Sequence, residues 1–240
     1  MKTPEFTVAE QLTSIFENGT TEIQYGYCEN LGDGRGFTCG RAGFTTRDGD
    51  AYEVIQQYSR LVPDNPLAIF LPELKRLYEQ ESDETSGLPG YGKIWKLLEN
   101  DKAFRAAQDN VVYEVYYCPA MKYAKKAGIT TALGKAIFYD TIIQHGEGDD
   151  PDGFPALIRR TIRKMGGKTP QAGADEKKWI ATFLDVRRAD LAHSFDADTR
   201  AEWAESVGRV DTFKQLIKKG KWDLTVPFTV EWEGEKYHIF

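Results

Sequence analysis

Residues 17–44 read ENGTTEIQYGYCENLGDGRGFTCGRAGF and carry the densest pattern in the chain. At their centre, residues 32–36 read GDGRG, and glycine reaches backbone angles that other residues resist. This segment therefore predicts a tight turn or loop with Asp33 inside it. Apolar and polar residues alternate over 22–29, which predicts a half-buried strand, and a second short strand is expected over 37–46.

Helical periodicity dominates on both sides of this segment. A helix is predicted over 7–16, with Thr7 as its N-cap and Glu10 completing a capping box, so that Glu17 lies at its C-terminal end. After Asp50 the apolar residues recur at threes and fours until a proline at position 63, which predicts a second helix.

The rest of the chain is also mostly helical, with a polar loop expected at 81–92 and a short hairpin at 228–240. Further helices are predicted at 67–79, 102–127 with a break near Pro119, 130–145, 154–166, 175–194 and 197–219. The pattern indicates a mainly α (α+β) fold with one small antiparallel sheet. We expect a single catalytic domain over 1–240, with two lobes around a substrate cleft.

Composition excludes several classes of function. Hydrophobic residues make up 41% of the chain, but no apolar run reaches the roughly 18 residues that span a membrane. The net charge of −6 argues against nucleic acid and favours a cationic partner. The three histidines lie far apart, so no metal site is predicted. Cys28, Cys39 and Cys118 are either buried free thiols or include one disulfide between two of them.

Two carboxylates in this region have the settings that acid–base hydrolysis requires. Glu17 follows two apolar residues at a helix end, where partial shielding from water would keep it protonated as a general acid. Asp33 lies in a glycine loop, where it would stay solvated and ionised as a base. Inverting glycosidases need the two groups about 6.5–9.5 Å apart, and Thr38 could hold the water between base and sugar. The alternative is that Glu17 only solvates a helix end and Asp33 only makes an Asx turn.

Residues 17–44 resemble the N-terminal signature of chitosanases of glycoside hydrolase family 46, in the lysozyme-like superfamily, and the similarity continues to about residue 225. The resemblance implies a two-lobed lysozyme-like fold and endo-acting, inverting hydrolysis of the β-1,4 bonds of chitosan. It implies that Glu17 is the acid, that Asp33 is the base and that Thr38 orients the water. It also implies a secreted monomer without a cofactor, whose partner is chitosan, although no signal-like leader precedes the first helix.

Further positions match family residues that bind substrate. Asp50 matches an aspartate that binds a glucosamine ammonium group, and a carboxylate is the group that pairs with such a cation. Its alternative role is to cap the helix that follows, and both roles could hold. Arg35 matches the loop arginine near the sugar, while Tyr27 and Glu29 resemble residues that line the cleft.

Asp140 shares one face of its predicted helix with apolar residues, which predicts a buried carboxylate that needs a charged partner. Arg187 and Arg209 match two family arginines that flank this aspartate and contact the acid from behind. Such a network would hold the orientation of Glu17 and couple the two lobes. The alternative is an ordinary core ion pair. His145, at the end of the same helix, is predicted to be a hydrogen-bonded structural residue.

Two other functions remain open on the sequence. A lysozyme-like hydrolase of chitin or peptidoglycan shares the architecture, but an acidic groove suits the polycation chitosan better. A non-catalytic carbohydrate-binding module would expose a row of aromatic residues. The tryptophans are instead predicted to lie mostly in the core: they are Trp95, Trp179, Trp203, Trp222 and Trp232.

The chain departs from the family pattern in two places. Residues 193–198 do not follow it cleanly, so Asp196 and Asp198 are only loose candidates for substrate contacts. Cys118 stands where a polar residue is expected.

Overall fold

The structure is a computed structural model that describes residues 3–197 and 200–240. Within these ranges the fold is mainly helical, with one three-stranded and one two-stranded antiparallel sheet, which confirms the predicted fold class. In chain order the elements are α1 (Pro4–Asn18), β1 (Cys28–Asn30), β2 (Phe37–Cys39), β3 (Phe44–Thr45), α2 (Asp50–Leu61), α3 (Leu71–Glu79), α4 (Tyr91–Leu97), α5 (Lys102–Val112), α6 (Cys118–Ala127), α7 (Ala132–His145), α8 (Phe154–Lys164), α9 (Glu176–Ala192), α10 (Arg200–Glu205), α11 (Val207–Lys218), β4 (Phe228–Trp232) and β5 (Glu235–Ile239).

The chain divides into two compact units. The first unit is formed by the residues up to Glu22 together with Tyr116–Phe240, and the second unit is Ile23–Val115.

Helix α1 of the first unit begins earlier than predicted. Thr3, not Thr7, is its N-cap, because the Thr3 hydroxyl accepts a backbone N–H of the first turn at 3.3 Å. A proline directly after the cap favours this start, since its missing N–H is not needed there. The predicted capping box of Thr7 and Glu10 is therefore wrong, and Glu10 is buried along the helix. The helix ends at Asn18, so Glu17 lies in its last turn as predicted.

Helix α7 is buried on nearly every side and packs against α1, α6 and α8. Its Phe138 ring contacts the rings of Phe154 and Phe183, with centroids 5.1 and 5.2 Å apart. Such aromatic contacts add to the burial of apolar surface in this core. Because α7 is enclosed, a charged residue on it needs partners inside the first unit.

The sheet of the second unit is smaller than predicted. Only 28–29 of the strand expected over 22–29 is present, because Tyr25 lies in a turn. Its carbonyl oxygen accepts hydrogen bonds from Trp95 Nε1 at 2.9 Å and from Gln108 Nε2 at 3.1 Å. The strand expected over 37–46 is divided into β2 and β3 by a 3-10 turn.

Helix α4 was not predicted, and it starts directly after Gly90, inside the segment 81–92 that was expected to be a loop. Tyr91 and Trp95 lie one turn apart and are both fully buried, and the Trp95 ring contacts Phe104 at 4.8 Å. These contacts stabilise a helix whose local sequence is a weak helix former, which is why propensity alone missed it.

Two other boundaries differ from the predictions. The break expected near Pro119 lies earlier, at a π-helical segment, Tyr113–Tyr117. The helix expected over 197–219 is two helices, α10 and α11, which meet at Ser206. The terminal hairpin is confirmed as β4 and β5.

The prediction of core tryptophans is confirmed for Trp95 and Trp179, which are fully buried. Trp203, Trp222 and Trp232 are half-buried instead.

Candidate active site

Glu17 projects from the last turn of α1 into a partly solvated position. Its side chain is 45% exposed, so the helix end shields it from water only in part. The residues before it turn inward: Ile15 is fully buried, and the Phe16 ring packs against Phe213 at 5.3 Å. Glu17 is held by Arg209, whose Nη2 donates to Glu17 Oε1 at 2.6 Å.

Arg209 of α11 joins Glu17 to Asp140. Its Nη2 also donates to Asp140 Oδ1 at 2.9 Å, and its Nε donates to the same oxygen at 3.0 Å. The donors of a guanidinium are fixed in one plane, so a single arginine holds both carboxylates in a defined relation. The Phe16 ring lies 5.4 Å from the guanidinium carbon and packs against it.

Asp140 on α7 is completely buried, as predicted, and lies between two arginines. Arg187 Nη1 contacts Asp140 Oδ2 at 2.7 Å, opposite the contacts from Arg209. Burial by itself raises the pKa of Asp140, but the charges of Arg209 and Arg187 outweigh burial and hold the pKa below its ordinary value. Asp140 is therefore a carboxylate at neutral pH.

Burial acts to lower the pKa of both arginines, but the net change in pKa differs between them. For Arg209 the two facing carboxylates, Asp140 and Glu17, more than offset burial and leave its pKa raised. For Arg187 burial prevails and its pKa is lowered, since Asp140 is its contacting carboxylate and the charge of Arg209 opposes its own.

Arg187 does not reach the acid directly in the way the family resemblance implied. Its described contacts run to Asp140, to Gln144 Oε1 and to His145 Nε2, the last at 3.3 Å from Arg187 Nε. Among the described residues, Arg209 is thus the arginine of this pair that contacts Glu17.

His145 is the structural histidine that the sequence predicted. Because its Nε2 accepts from Arg187, the proton lies on Nδ1, which donates to the Asp152 carbonyl at 2.8 Å. Burial, followed by the charge of Arg187, lowers the pKa of His145 to about 3, so the ring is neutral.

Two polar residues of this network were missed. Thr13 Oγ1 donates to Asp140 Oδ1 at 3.3 Å, and Gln144 Nε2 donates to Ser206 Oγ at 2.8 Å while its oxygen accepts from Arg187. Thr13 precedes Glu17 by one helical turn, and Gln144 follows Asp140 by one turn. That spacing places each pair on one helix face and was the available signal.

The GDGRG loop of the second unit connects β1 to β2 and has the backbone that its glycines predicted. Gly32, Gly34 and Gly36 have φ angles of +69°, +78° and +74°. A side chain at Gly36 would also collide with the hydroxyl of Thr46. Arg47 Nη1 donates to the Gly34 carbonyl at 3.1 Å and anchors the loop.

Asp33 is exposed at the tip of this loop and is paired with Arg35. Arg35 Nη2 and Nε donate to Asp33 Oδ2 at 2.7 and 3.0 Å, and the Arg35 backbone N–H donates to Oδ1 at 3.1 Å. The last bond is the Asx turn considered as the alternative role. The side-chain hydrogen bond from Arg35 is the main cause that lowers the pKa of Asp33, so Asp33 is ionised at neutral pH.

Thr38 on β2 has a buried hydroxyl with an unused hydrogen-bonding capacity. Within residues 3–197 and 200–240, its Oγ1 has no hydrogen-bond partner, although the residue is only 7% exposed. Thr45, its partner across the β2–β3 pair, is fully bonded: its Oγ1 donates to Asp48 Oδ2 at 2.8 Å. Buried hydroxyls are nearly always paired, so the unpaired hydroxyl of Thr38 departs from the usual pattern.

Asp50 is the first residue of α2, and the alternative role of N-cap is wrong because Gly49 occupies that position. Asp50 Oδ1 accepts the backbone N–H groups of Thr45 at 2.6 Å and Ala51 at 2.9 Å. Burial raises the pKa of Asp50 to about 6, against the opposing effect of these hydrogen bonds. Burial thus disfavours the ionised form of Asp50.

Tyr27 directly precedes β1, and Glu29 lies within β1, opposite Thr38 of β2. Burial, and then the charge and hydrogen bond of Glu29, raise the pKa of Tyr27. Glu29 is exposed, and its carboxylate lies 4.0 Å from Lys96 Nζ.

The structure therefore brings the predicted residues together in two sets, one in each unit. Glu17, Asp140, Arg187 and Arg209 form a contacting set in the first unit. The remaining candidates lie on β1, β2, the loop between them and the start of α2 in the second unit: they are Tyr27, Glu29, Asp33, Arg35, Thr38 and Asp50. Of the two loose candidates, Asp196 donates its backbone N–H to Asp152 Oδ2 at 3.0 Å, and Asp198 lies outside the described residues.

Over the described ranges, no group of three or more His, Cys, Asp or Glu side chains is arranged to hold a metal ion. No described helix has both the length and the apolar character needed to cross a membrane.

Comparison with known proteins supplies the family. The model of glycosyl hydrolase family 46 matches residues 11–228, which include every candidate residue named above. The chain belongs to glycosyl hydrolase family 46. It is therefore a glycoside hydrolase.

A chitosanase of Bacillus subtilis (strain 168) is 60% identical over 222 residues, covering 92% of this chain and 80% of that protein. The crystal structure of native chitosanase from Bacillus subtilis MY002 matches with a TM-score of 0.87 and 55% identity over 100% of both chains. A mutant of the MY002 chitosanase complexed with 6 GlcN matches equally well.

Proposed function

We propose that this member of family 46 is an endo-acting chitosanase, which hydrolyses the β-1,4 bonds of chitosan by single displacement with inversion. The observation that carries the proposal is the 60% identity, over 92% of the chain, to a chitosanase. The complex of a 55% identical chitosanase with 6 GlcN supports the same class of substrate. The family model spans both units, which supports one catalytic domain.

Glu17 is proposed as the general acid. Because a guanidinium only donates hydrogen bonds, Arg209 requires Glu17 Oε1 to accept, and the catalytic proton must lie on Oε2. As Oε2 gives its proton to the departing sugar oxygen, the carboxylate that forms already faces a positive charge. Arg209 thereby stabilises charge that develops in the transition state, and Asp140 keeps Arg209 in place.

Asp33 is proposed as the general base, and its exposure and its ionisation at neutral pH support this role because a base must be ionised. Arg35 fixes the carboxylate from one side. Thr38, whose buried hydroxyl has no partner among the described residues, is proposed to bind and orient the attacking water. Inversion requires about 6.5–9.5 Å between the two catalytic carboxyl groups, so that this water fits between the base and the sugar.

Charge selects the substrate in this proposal. Chitosan carries an ammonium group on each deacetylated ring, and Asp50 and Glu29 offer carboxylates to pair with such groups, with Tyr27 hydrogen-bonded to Glu29. The chain carries a net charge of −6, which also attracts a polycation. The reaction as proposed uses no cofactor, and the size of the polymer places its hydrolysis outside the cell.

The roles of the two carboxylates are tested by Glu17→Gln and Asp33→Asn. Each variant should lower turnover by several orders of magnitude with an unchanged circular dichroism spectrum, because each removes a proton-transferring group and keeps the side-chain shape. Glu5→Gln is the matched control, since Glu5 also lies on α1 in a partly exposed ion pair, with Lys135 at 3.2 Å. Wild-type turnover from either catalytic variant would show that the roles are misassigned.

The substrate and the stereochemistry are tested separately. Loss of viscosity of a chitosan solution ahead of the release of reducing ends identifies endo-hydrolysis. Proton NMR of the first product should show the α-anomer, and an initial β-anomer would contradict inversion. Faster hydrolysis of fully acetylated chitin or of peptidoglycan would favour a lysozyme-like activity instead.

A further inference from the structure

Two cysteine thiols face each other at the base of the loop that carries Asp33. Cys28 on β1 lies directly opposite Cys39 on β2, and their Sγ atoms are 2.9 Å apart. Both side chains are buried, with 4% and 0% exposure. The third cysteine, Cys118, lies in the other unit.

The position of the pair in the ladder suits a covalent link. Gly40 N–H donates to the Tyr27 carbonyl at 2.7 Å, so the pair next along the hairpin, Cys28 and Cys39, occupies a non-hydrogen-bonded position. Side chains approach most closely at such positions, where Cα atoms lie about 4.5 Å apart in antiparallel sheets. That separation lies within the range that a disulfide spans without backbone movement.

A cavity of about 590 Å³ gives access to one of the two sulfurs. Cys28 lines this cavity, whereas Cys39 does not. Gly92 also lines it, and the space a Cβ would take at this glycine lies 3.4 Å from Cys28 Sγ, so the missing side chain leaves that sulfur approachable. Lys93 and Lys96 add positive charge to the walls, which favours an anionic reagent.

Cys39 is chemically the less reactive thiol. Burial is the main cause that raises its pKa well above the ordinary value. The thiolate is the nucleophile in thiol–disulfide exchange, so exchange begins at Cys28 and Cys39 completes it.

We propose that Cys28 and Cys39 form a redox site that a small anionic disulfide, such as oxidised glutathione, converts to an intramolecular disulfide. The thiolate of Cys28 attacks one sulfur of the reagent and releases the first glutathione thiolate, which takes up the proton lost by Cys28. Cys39 then attacks Cys28 Sγ in the mixed disulfide, breaks that S–S bond and releases the second glutathione, which takes up the proton of Cys39. The protein loses two electrons and the reagent gains them.

The link closes residues 28–39 into one covalent ring that contains the whole GDGRG loop. Asp33 lies within this ring, and Thr38 is the neighbour of Cys39. The disulfide thus holds the two ends of the loop together and limits their separation when the hydrogen bonds between β1 and β2 open. The meaning of this disulfide for catalysis rests on the proposed function, whereas the bond itself does not.

The test uses the full chain, reduced and then incubated with oxidised glutathione at pH 8. The protein is denatured, free thiols are alkylated and the intact mass is measured. One alkylated cysteine per chain, with Cys28 and Cys39 recovered in one cross-linked peptide, is the expected result. The melting temperature of the oxidised protein should exceed that of the reduced protein by about 5–10 °C, the effect expected for a ring of this size in a domain of this length.

Two variants keep the test falsifiable. Cys28→Val should abolish both the cross-link and the difference in melting temperature, whereas Cys118→Ser should retain both. Three alkylated cysteines after oxidation, a glutathione adduct that persists on Cys28, or a cross-link to Cys118 would each overturn the proposal. Neither readout uses chitosan hydrolysis, so a failure of the proposed enzymatic function leaves this test intact.

Discussion

Replacing Asp140 by asparagine removes one charge from the centre of the first unit and leaves the shape of the side chain almost unchanged. In the native protein Arg209 donates to Asp140 from one side and Arg187 contacts it from the other. The amide of asparagine keeps one accepting oxygen but turns a donating NH₂ group toward a guanidinium. Both arginines then face each other without the intervening negative charge.

The size of the destabilisation by Asp140→Asn follows from the burial of its two arginine partners. Arg187 is 0% exposed and Arg209 is 5% exposed, so water does not replace the lost carboxylate. Removing one partner of a buried ion pair costs about 3–5 kcal/mol of folding free energy, because the remaining charge is left uncompensated. For a chain of this length each kcal/mol lowers the melting temperature by about 2–4 °C, so we expect a decrease of about 6–20 °C.

The measurement is thermal and urea denaturation at pH 7, followed by circular dichroism. Asp211→Asn is the matched control, because Asp211 pairs with Arg188 at 2.8 Å and these two residues lie on α11 and α9, the helices that carry Arg209 and Arg187. That pair is 43–45% exposed, and exposed pairs contribute about 0–1 kcal/mol. In 0.5 M salt the small effect of Asp211→Asn should shrink further, while the effect of Asp140→Asn should persist.

Equal destabilisation by the two substitutions would refute the argument that burial makes the Asp140 contacts strong. Where Asp140→Asn still folds at low temperature, its turnover should also fall, since Arg209 is then free to leave Glu17. An unchanged turnover in a folded variant would show that this network does not position the acid.

Two further predictions concern the second unit. Thr38→Val removes a buried hydroxyl that has no partner among the described residues, so stability should stay equal or increase while turnover falls at least about tenfold. The control Thr45→Val, which breaks the bond to Asp48, should lower the melting temperature. A loss of stability in Thr38→Val without loss of turnover would contradict the proposal that Thr38 orients the attacking water. With its pKa raised to about 6, Asp50 should be about nine-tenths ionised at pH 7 and about one-tenth at pH 5. KM for glucosamine oligomers should therefore rise as pH falls, although the substrate gains charge, and Asp50→Asn should show a high KM with no such rise. An unchanged wild-type KM between pH 7 and 5 would exclude Asp50 from binding the cation. Folding stability should change in the opposite direction and rise as pH falls, because the pKa of Asp50 in the folded protein is above its ordinary value. The free-energy cost of ionising buried Asp50 is absent below about pH 4 and complete above about pH 6.

Part of the candidate site could be predicted because it depends either on residues close together in the sequence or on the requirement that a buried charge has a partner. Three glycines among five residues impose a loop around Asp33, whatever surrounds it. A carboxylate on an apolar helix face, as at Asp140, demands a charged partner, and the family resemblance pointed to Arg187 and Arg209 for that role.

The errors arose where distant residues decide the local backbone. Tyr25 sits in a pattern typical of a strand, but its carbonyl bonds to Trp95 and Gln108, which a local pattern cannot reveal. Thr7 satisfies the sequence rule for a capping box, yet Thr3, which is followed by a proline, is the N-cap of the same helix.

The sequence by itself determined the helix-rich fold and the glycine loop around Asp33, since periodicity and backbone freedom are properties of the chain. Only the tertiary structure decided that Glu17 is partly exposed and held by Arg209, that the Thr38 hydroxyl is buried without a described partner, and that Cys28 meets Cys39. Exposure, pairing and register depend on contacts between residues far apart in the chain, and the free energy of those contacts is set by the packing that brings them together.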